Sequence, residues 1–227
     1  MRILLIGATG DVGRGILHEA LATGHSVTAV ARTAAGLEGL EPHPAMRLQP
    51  GDIGTAEGAM ALARTACADK PPDAVVVAVS VASDRIKLTE ITGEDLSAAI
   101  LGTLQPHLHA AHAFGPLLPE GSVFLGLGGG TADVVIPGLA PVSMAQAALR
   151  VLYRHFACER SMARVIWREL LIRSMVNGGR KREIATDDWL TDREIGRHVL
   201  AILTDPAAFA GPILTIAARE DIGRATG

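Results

Sequence analysis

The stretch Ile3-Leu4-Leu5-Ile6-Gly7-Ala8-Thr9-Gly10-Asp11-Val12-Gly13 decides the fold. Its leading apolar residues have the length and branching of a short strand buried on both faces, and the residues after Val12 take up a helical period. Between them stand three glycines spaced three apart. Glycine lets the backbone turn sharply and lets another group approach it closely. The helix that follows opens with amide groups lacking partners inside the helix, at the positive end of its dipole. A strand, a glycine turn and a helix start in this order form a seat for a diphosphate. Gly7, Thr9, Gly10, Asp11, Val12 and Gly13 are therefore the expected seat of a dinucleotide.

Reading outward, residues 26–31 form a second strand that ends at Arg32, 19 residues beyond Gly13. An acid at roughly 20 residues accepts from a ribose 2′-hydroxyl, whereas a guanidinium pairs with a 2′-phosphate. Arg32 thus predicts NADP(H) as the cofactor rather than NAD, and Arg14 stands close enough to the turn to share the phosphate. Asp52 and Ile53 follow a third strand, where a carboxylate accepts from the adenine amino group or simply holds a turn.

Strand-like runs over 2–6, 26–31, 46–49, 74–79, 122–127, 169–176 and 212–216 alternate with helical stretches over 12–23, 55–68, 94–117, 143–162 and 192–203. This rhythm predicts parallel strands with helical crossovers, and the all-apolar run after Asp73 predicts a central strand covered on both sides. The expected fold class is α/β, a Rossmann-type doubly wound parallel sheet of about seven strands in three layers, with residues 1–227 as one domain. Thr55 and Thr191 offer capping oxygens, and Pro106 is expected to kink or restart its helix. Two loops, 126–141 and 177–188, are expected beyond the carboxyl ends of strands, where ligands sit in such sheets.

Composition narrows the function further. The 227 residues are 48% hydrophobic and 20% charged, with a net charge of −3 and only 3% aromatics. Such a chain offers no field for nucleic acid or anionic lipid and few stacking platforms for bases. Cys67 and Cys158 are far apart and match no disulfide or zinc pattern, which fits reduced thiols and a cytoplasmic protein with no metal. His107, His109 and His112 lie on one helical stretch without a completing ligand. No targeting or spanning segment is visible.

Taken together, the turn over 7–13, the strand ending at Arg32, the stretch over 143–149 and the segment over 200–211 resemble the short-chain dehydrogenase/reductase superfamily over nearly the whole chain. The first half resembles its atypical NADP-binding branch, and the second half the branch with a tyrosine and lysine active site. The resemblance implies a tyrosine acid, a lysine four residues on, a serine that orients the substrate and an asparagine relay. In this sequence those positions hold Val142, Gln146, Gly128 or Gly129, and Thr103. The lone tyrosine, Tyr153, lies 11 residues beyond Val142, roughly 16 Å along a helix, and is expected to pack or to join an interface. The resemblance also implies that the backbone of Val79, Ser80 and Val81 touches the cofactor. It makes 177–188 a substrate lid carrying Arg180, Lys181 and Arg182, with Lys87 near the mouth. Finally, it implies pairing of the long helices into a homodimer or homotetramer.

A valine gives no proton, and loss of a positioned acid typically costs about 10²–10⁴ in rate. The expectation is therefore an NADP(H)-binding oxidoreductase acting on a small carbonyl, enone or quinone-like substrate without the usual residues. A non-catalytic NADP-binding sensor, or a lyase or isomerase on the same scaffold, stands as the alternative. Ser143 has no histidine at a nucleophile's spacing, which argues against a hydrolase.

Overall fold

The computed structural model describes residues 1–81, 84–179 and 181–225. Its elements run β1 (Arg2–Ile6), α1 (Asp11–Ala22), β2 (Ser26–Ala31), α2 (Ala34–Leu37), β3 (Met46–Pro50), α3 (Ala56–Ala66), β4 (Ala74–Val77) and α4 (Gly93–Phe114). They continue with β5 (Val123–Gly129), α5 (Ala140–Cys158), β6 (Ile166–Ile172), β7 (Val176–Asn177), β8 (Leu190–Thr191), α6 (Asp192–Thr204) and β9 (Ile213–Ile216). Seven strands form one parallel sheet in the order β3-β2-β1-β4-β5-β6-β9, and β7 pairs with β8 apart from it. This is the doubly wound Rossmann-type sheet expected from the sequence.

Strand alternation builds two cores, one on each face. Ile3 and Leu5 of β1 point to the layer of α1 and α6, where they meet Ile16, Val199 and Leu214. Leu4 and Ile6 point the other way, into a layer with Leu62, Phe114, Phe124 and Trp167 from α3, α4, β5 and β6. Both faces of β1 and all of β4 are buried, hence the unbroken apolar runs. On the first face α1 and α6 meet at the backbone: a Cβ at Gly196 would stand 2.6 Å from the Gly15 carbonyl oxygen, and one at Gly15 would collide with the Asp192 carbonyl.

The helices begin in two ways. Thr33, Thr55, Thr92 and Thr191 each accept a backbone N–H through the side-chain hydroxyl, with Asp95 and Glu194 returning the bond at the last two. Each such cap contributes about 1 kcal/mol. By contrast, α1 starts at Gly10 with no side-chain cap.

Several sequence expectations are corrected. Pro106 does not restart α4, which runs through it. The bond Pro106 cannot donate would have gone to Gly102, and both residues border open space, so the loss is tolerated there. Residues 126–129 belong to β5 rather than to a loop, because side chains from α5 and β6 fill the room their missing Cβ atoms leave. The strand expected over 169–176 starts at Ile166 and ends at Ile172. Arg168 stays inside it by donating to the carbonyl of Phe209, and Val176 pairs with Leu190 instead. Helix α5 starts at Ala140, with Pro141 in its first turn, where no N–H is needed.

Candidate functional site

The carboxyl ends of β1, β2 and β4 open into a cleft of about 990 Å³. Its floor is the glycine turn. Gly7 has φ +89°, and a Cβ there would run into the Ala78 carbonyl, so the turn is built for glycine alone. Its amide and that of Ala8 donate to Val30 O at 3.0 and 3.1 Å, tying the turn to β2. Gly13 fits against the Gly7 carbonyl in the same way, letting α1 start close to the strand. Helix α1 starts at Gly10, which has no side chain to cap it, so its opening turn presents backbone amides that the helix itself does not use. They form a cradle of backbone donors at the cleft floor.

The structure brings Gly7, Thr9, Gly10, Asp11, Arg32, Asp52, Ile53, Val79, Ser80 and Val81 to this cleft. Val12 packs against the core and Gly13 is buried, so both support the turn from behind. Arg32 is exposed at the end of β2. Arg14 lines the same end, its Nε donating to Thr9 O at 3.2 Å and its Nη1 to Gly39 O at 3.3 Å. One oxygen of Asp52 accepts from the Gly54 amide at 2.8 Å, which makes Asp52 a turn residue as well as a lining one. Gln105, unforeseen in the sequence, joins Gly102 and Pro106 on the α4 face that borders the cleft. Thr103 is buried beside them and does not line it.

At the carboxyl end of β5, outside the residues that line the cleft, the polar residues are differently arranged. Gly128 is buried, and Gly129 donates its N–H to Gln146 Oε1 at 2.7 Å. Val142 and Gln146 stand on α5 half-buried. Beneath them lies Glu169 of β6, fully buried, with neither carboxylate oxygen hydrogen-bonded. Burial pushes its carboxyl up to about 8, although Arg150 and Arg154 pull the other way. Arg150 is occupied by Asp133 at 2.7 Å, and that pairing holds the Asp133 carboxyl below its usual range. Deeper still, Tyr153 and His107 share a hydrogen bond of 2.8 Å, both fully buried. Burial lowers His107 to about 3, and burial followed by the Glu169 charge raises the Tyr153 phenol. Tyr153 is thus core packing against Phe124 and Phe156. The alternation Trp167, Glu169, Leu171 signals a buried acid, but only if the strand is started at Ile166.

Other sequence candidates disperse. His109 reaches Ile53 O, His112 lies elsewhere, and no cluster of metal-ligating side chains exists among the described residues. Lys87 is exposed and paired with Glu90. Ser143 Oγ is buried without a hydrogen-bond partner. Of the segment after β7, Gly179 lines the cleft, Lys181 and Arg182 are exposed, and Arg180 lies outside the described residues, as do Ala82 and Ser83. Among the described residues no helix is long and apolar enough to cross a membrane.

A family model described as NAD(P)H-binding matches residues 7–105. No curated protein matches the sequence significantly. Solved structures match along almost the whole chain. A short-chain dehydrogenase from Burkholderia cenocepacia, in complex with NADP, aligns with TM-score 0.79 and 19% identity over 97% of this chain and 90% of its own. A short-chain dehydrogenase/reductase from Brucella melitensis gives 0.81 and 17%, over 94% and 93%. An NADPH-bound short-chain oxidoreductase from Pseudomonas aeruginosa, containing an atypical catalytic center, gives 0.80 and 19%, over 95% and 94%. At such identities the likeness is one of fold: the chain as a whole has the fold of short-chain dehydrogenases, and its residues 7–105, which include the glycine turn, match the NAD(P)H-binding model.

Proposed function

We propose that the protein is an NADP(H)-dependent oxidoreductase that reduces a small carbonyl, enone or quinone-like substrate without a tyrosine–lysine pair. The observation that carries this reading is the uncapped start of α1, opening on a cleft whose far end holds Arg32 and Arg14. The glycine turn and the start of α1, from Gly7 to Asp11, would hold the diphosphate, the two guanidinium groups the 2′-phosphate, and Asp52 and Ile53 the adenine side. Val79, Ser80 and Val81 would support the nicotinamide end. The similar Burkholderia and Pseudomonas proteins hold NADP and NADPH on the same fold.

The bound coenzyme supplies a hydride. The chain's own part is to bind, orient and exclude water: the Gly7 turn fixes the diphosphate, and β4 and the Gly102–Pro106 face of α4 wall the cleft. With Val142 and Gln146 in place of a tyrosine and lysine, substrates already electron-poor suit the site best. A second reading, a nucleotide-sensing protein without turnover, is favoured by the same two residues.

Calorimetry with NADPH, NADP⁺ and NADH tests the binding, with a clear preference for the phosphorylated forms expected. NADPH oxidation against carbonyls, enones and quinones then separates the two readings. We further propose that copies of the chain pair through α4 and α5, which pack side by side and expose Leu101, Met144 and Val151. Sedimentation at micromolar concentration would show a dimer or tetramer. Cys67 and Cys158 are free thiols, in keeping with a cytoplasmic setting.

A further inference from the structure

At the end of β5 a side chain is missing from one strand and supplied by the next. A Cβ on Gly128 would collide with Glu169 Oε1 and lie 3.2 Å from Gln146 Oε1. The carboxyl of Glu169 therefore fills the volume that a side chain at position 128 would occupy. It is carried there by register, since Gly126 of β5 stands opposite Glu169 of β6 and both point toward α5. It is fully buried, yet neither oxygen has a hydrogen-bond partner. An apolar residue would have packed here at lower cost, because a buried polar group without partners is destabilising by about 1–3 kcal/mol.

The surroundings show what such a group can do. Gly128 ends in Gly129 and Gly130, half-exposed at the carboxyl edge of the sheet, where ligands of doubly wound folds sit. Gln146, bonded to the Gly129 amide, covers the carboxyl. The charged and titratable groups that face it are Arg150, Tyr153 and Arg154 of α5 and Asp133 after β5, with His107 of α4 behind Tyr153. Arg150 and Arg154 favour the charged form of the acid, but Arg150 gives its hydrogen bond to Asp133 and neither arginine hydrogen-bonds Glu169. Burial then keeps the carboxyl protonated around neutrality.

We propose that Glu169 is the proton donor of this site, a neutral carboxyl that stands in for a hydroxyl beneath Gly128. The inference rests on the reading of the cleft as an NADP(H) site. A bound dihydronicotinamide would supply hydride to the substrate carbon and be oxidised in turn, and the conjugated oxygen or carbon would gain the electron pair. That atom takes the proton of Glu169, the O–H bond breaks, and solvent later restores the proton. Because Glu169 is fully buried with Gln146 beside it on the Gly129 amide, the step requires Gln146 to move aside. A carboxyl tuned toward the working pH by burial suits a general acid.

The test is infrared spectroscopy of the protein with isotope-labelled glutamate, titrated through pH 8 without substrate. A protonated carboxyl band should appear, vanish with a midpoint near about 8, and be absent from Glu169→Gln. Its midpoint should be lower with NADP⁺ than with NADPH, because the oxidised ring is positively charged. In parallel, Glu169→Gln should keep its NADPH affinity by calorimetry but lose about 100-fold in NADPH oxidation. Gly128→Ser combined with Glu169→Ala puts a hydroxyl in the same volume and should recover part of that rate without the alkaline limb of the pH profile. A missing band, a midpoint indifferent to the coenzyme's oxidation state, or an undiminished rate in Glu169→Gln would overturn the proposal. Failure of NADPH to bind would instead refute the cleft reading and leave the band in place.

Discussion

At the turn over 7–13 and at the strand end over 126–130, glycine makes room for different neighbours. The turn places Gly7 and Gly13 against backbone carbonyls, where no substitution elsewhere can create space. In the strand end, Gly126 makes room for Tyr153 and Gly128 for Glu169, so the space belongs to side chains that can themselves be changed. The first region bares its backbone to the cleft, while the second turns its polar groups inward. Identical residue types thus serve a binding surface in one place and a packed interior in the other.

The comparison predicts which defects can be repaired. Gly7→Ala combines a positive φ with a backbone collision and should destabilise by roughly 3 kcal/mol or more, with no second-site rescue. Gly126→Ala should cost about 1–3 kcal/mol alone, and Tyr153→Leu in the same chain should recover much of it. Denaturant unfolding of the single and double variants measures both, and rescue of Gly7→Ala by a side-chain change would break the contrast. In the ligand-facing region, Arg32→Ala should remove a charge-assisted contact of about 1.5–3 kcal/mol, weakening NADPH binding roughly 10- to 100-fold. NADH binding should be nearly unchanged. The smallest effect is expected for Thr191→Ala, about 1 kcal/mol for a lost cap, with coenzyme affinity intact.

The inward-facing pair also sets a pH signature. Folded His107 stays neutral down to about pH 3, whereas the unfolded chain takes up that proton below 6.5, so acid lowers stability in between. Glu169 works oppositely: the fold keeps its proton up to about pH 8, while the unfolded chain releases it near 4.5, so stability falls as pH rises through that window. Between 4.5 and 6.5 the two slopes cancel, leaving a plateau flanked by losses on each side. Glu169→Gln should abolish the alkaline loss and leave the acid one, as thermal melts across pH would show.

The strand, turn and helix at the start of the chain were legible because their signals are local. The strand, turn and helix of 1–22 lie within one window, and the bounds of β1 and β2 were read to the residue. Helix α2 escaped because four residues carry no period. Gly128 and Gly129 read as loop because the partners that make them strand residues lie in α5 and β6, between 17 and 43 positions away. Glu169 escaped for a related reason. Its burial follows from alternation with Trp167, but its position under Gly128 depends on the β5–β6 register, which no local pattern encodes.

The segment over 178–191 is moored at both ends to the same helix. A Cβ on Gly178 would stand 2.5 Å from Asp11 Cβ at the start of α1, and its far end runs into Asp192, pressed on Gly15 in the middle of α1. Arg219 adds a third fastening, donating to the carbonyls of Asp187 and Trp189 and to Glu194 at 2.5, 2.9 and 2.7 Å. Like a handle fixed to a bucket at two rivets, the segment leaves only its bow around 181–186 open to change. Variation in that bow leaves the helix that carries the rivets where it is.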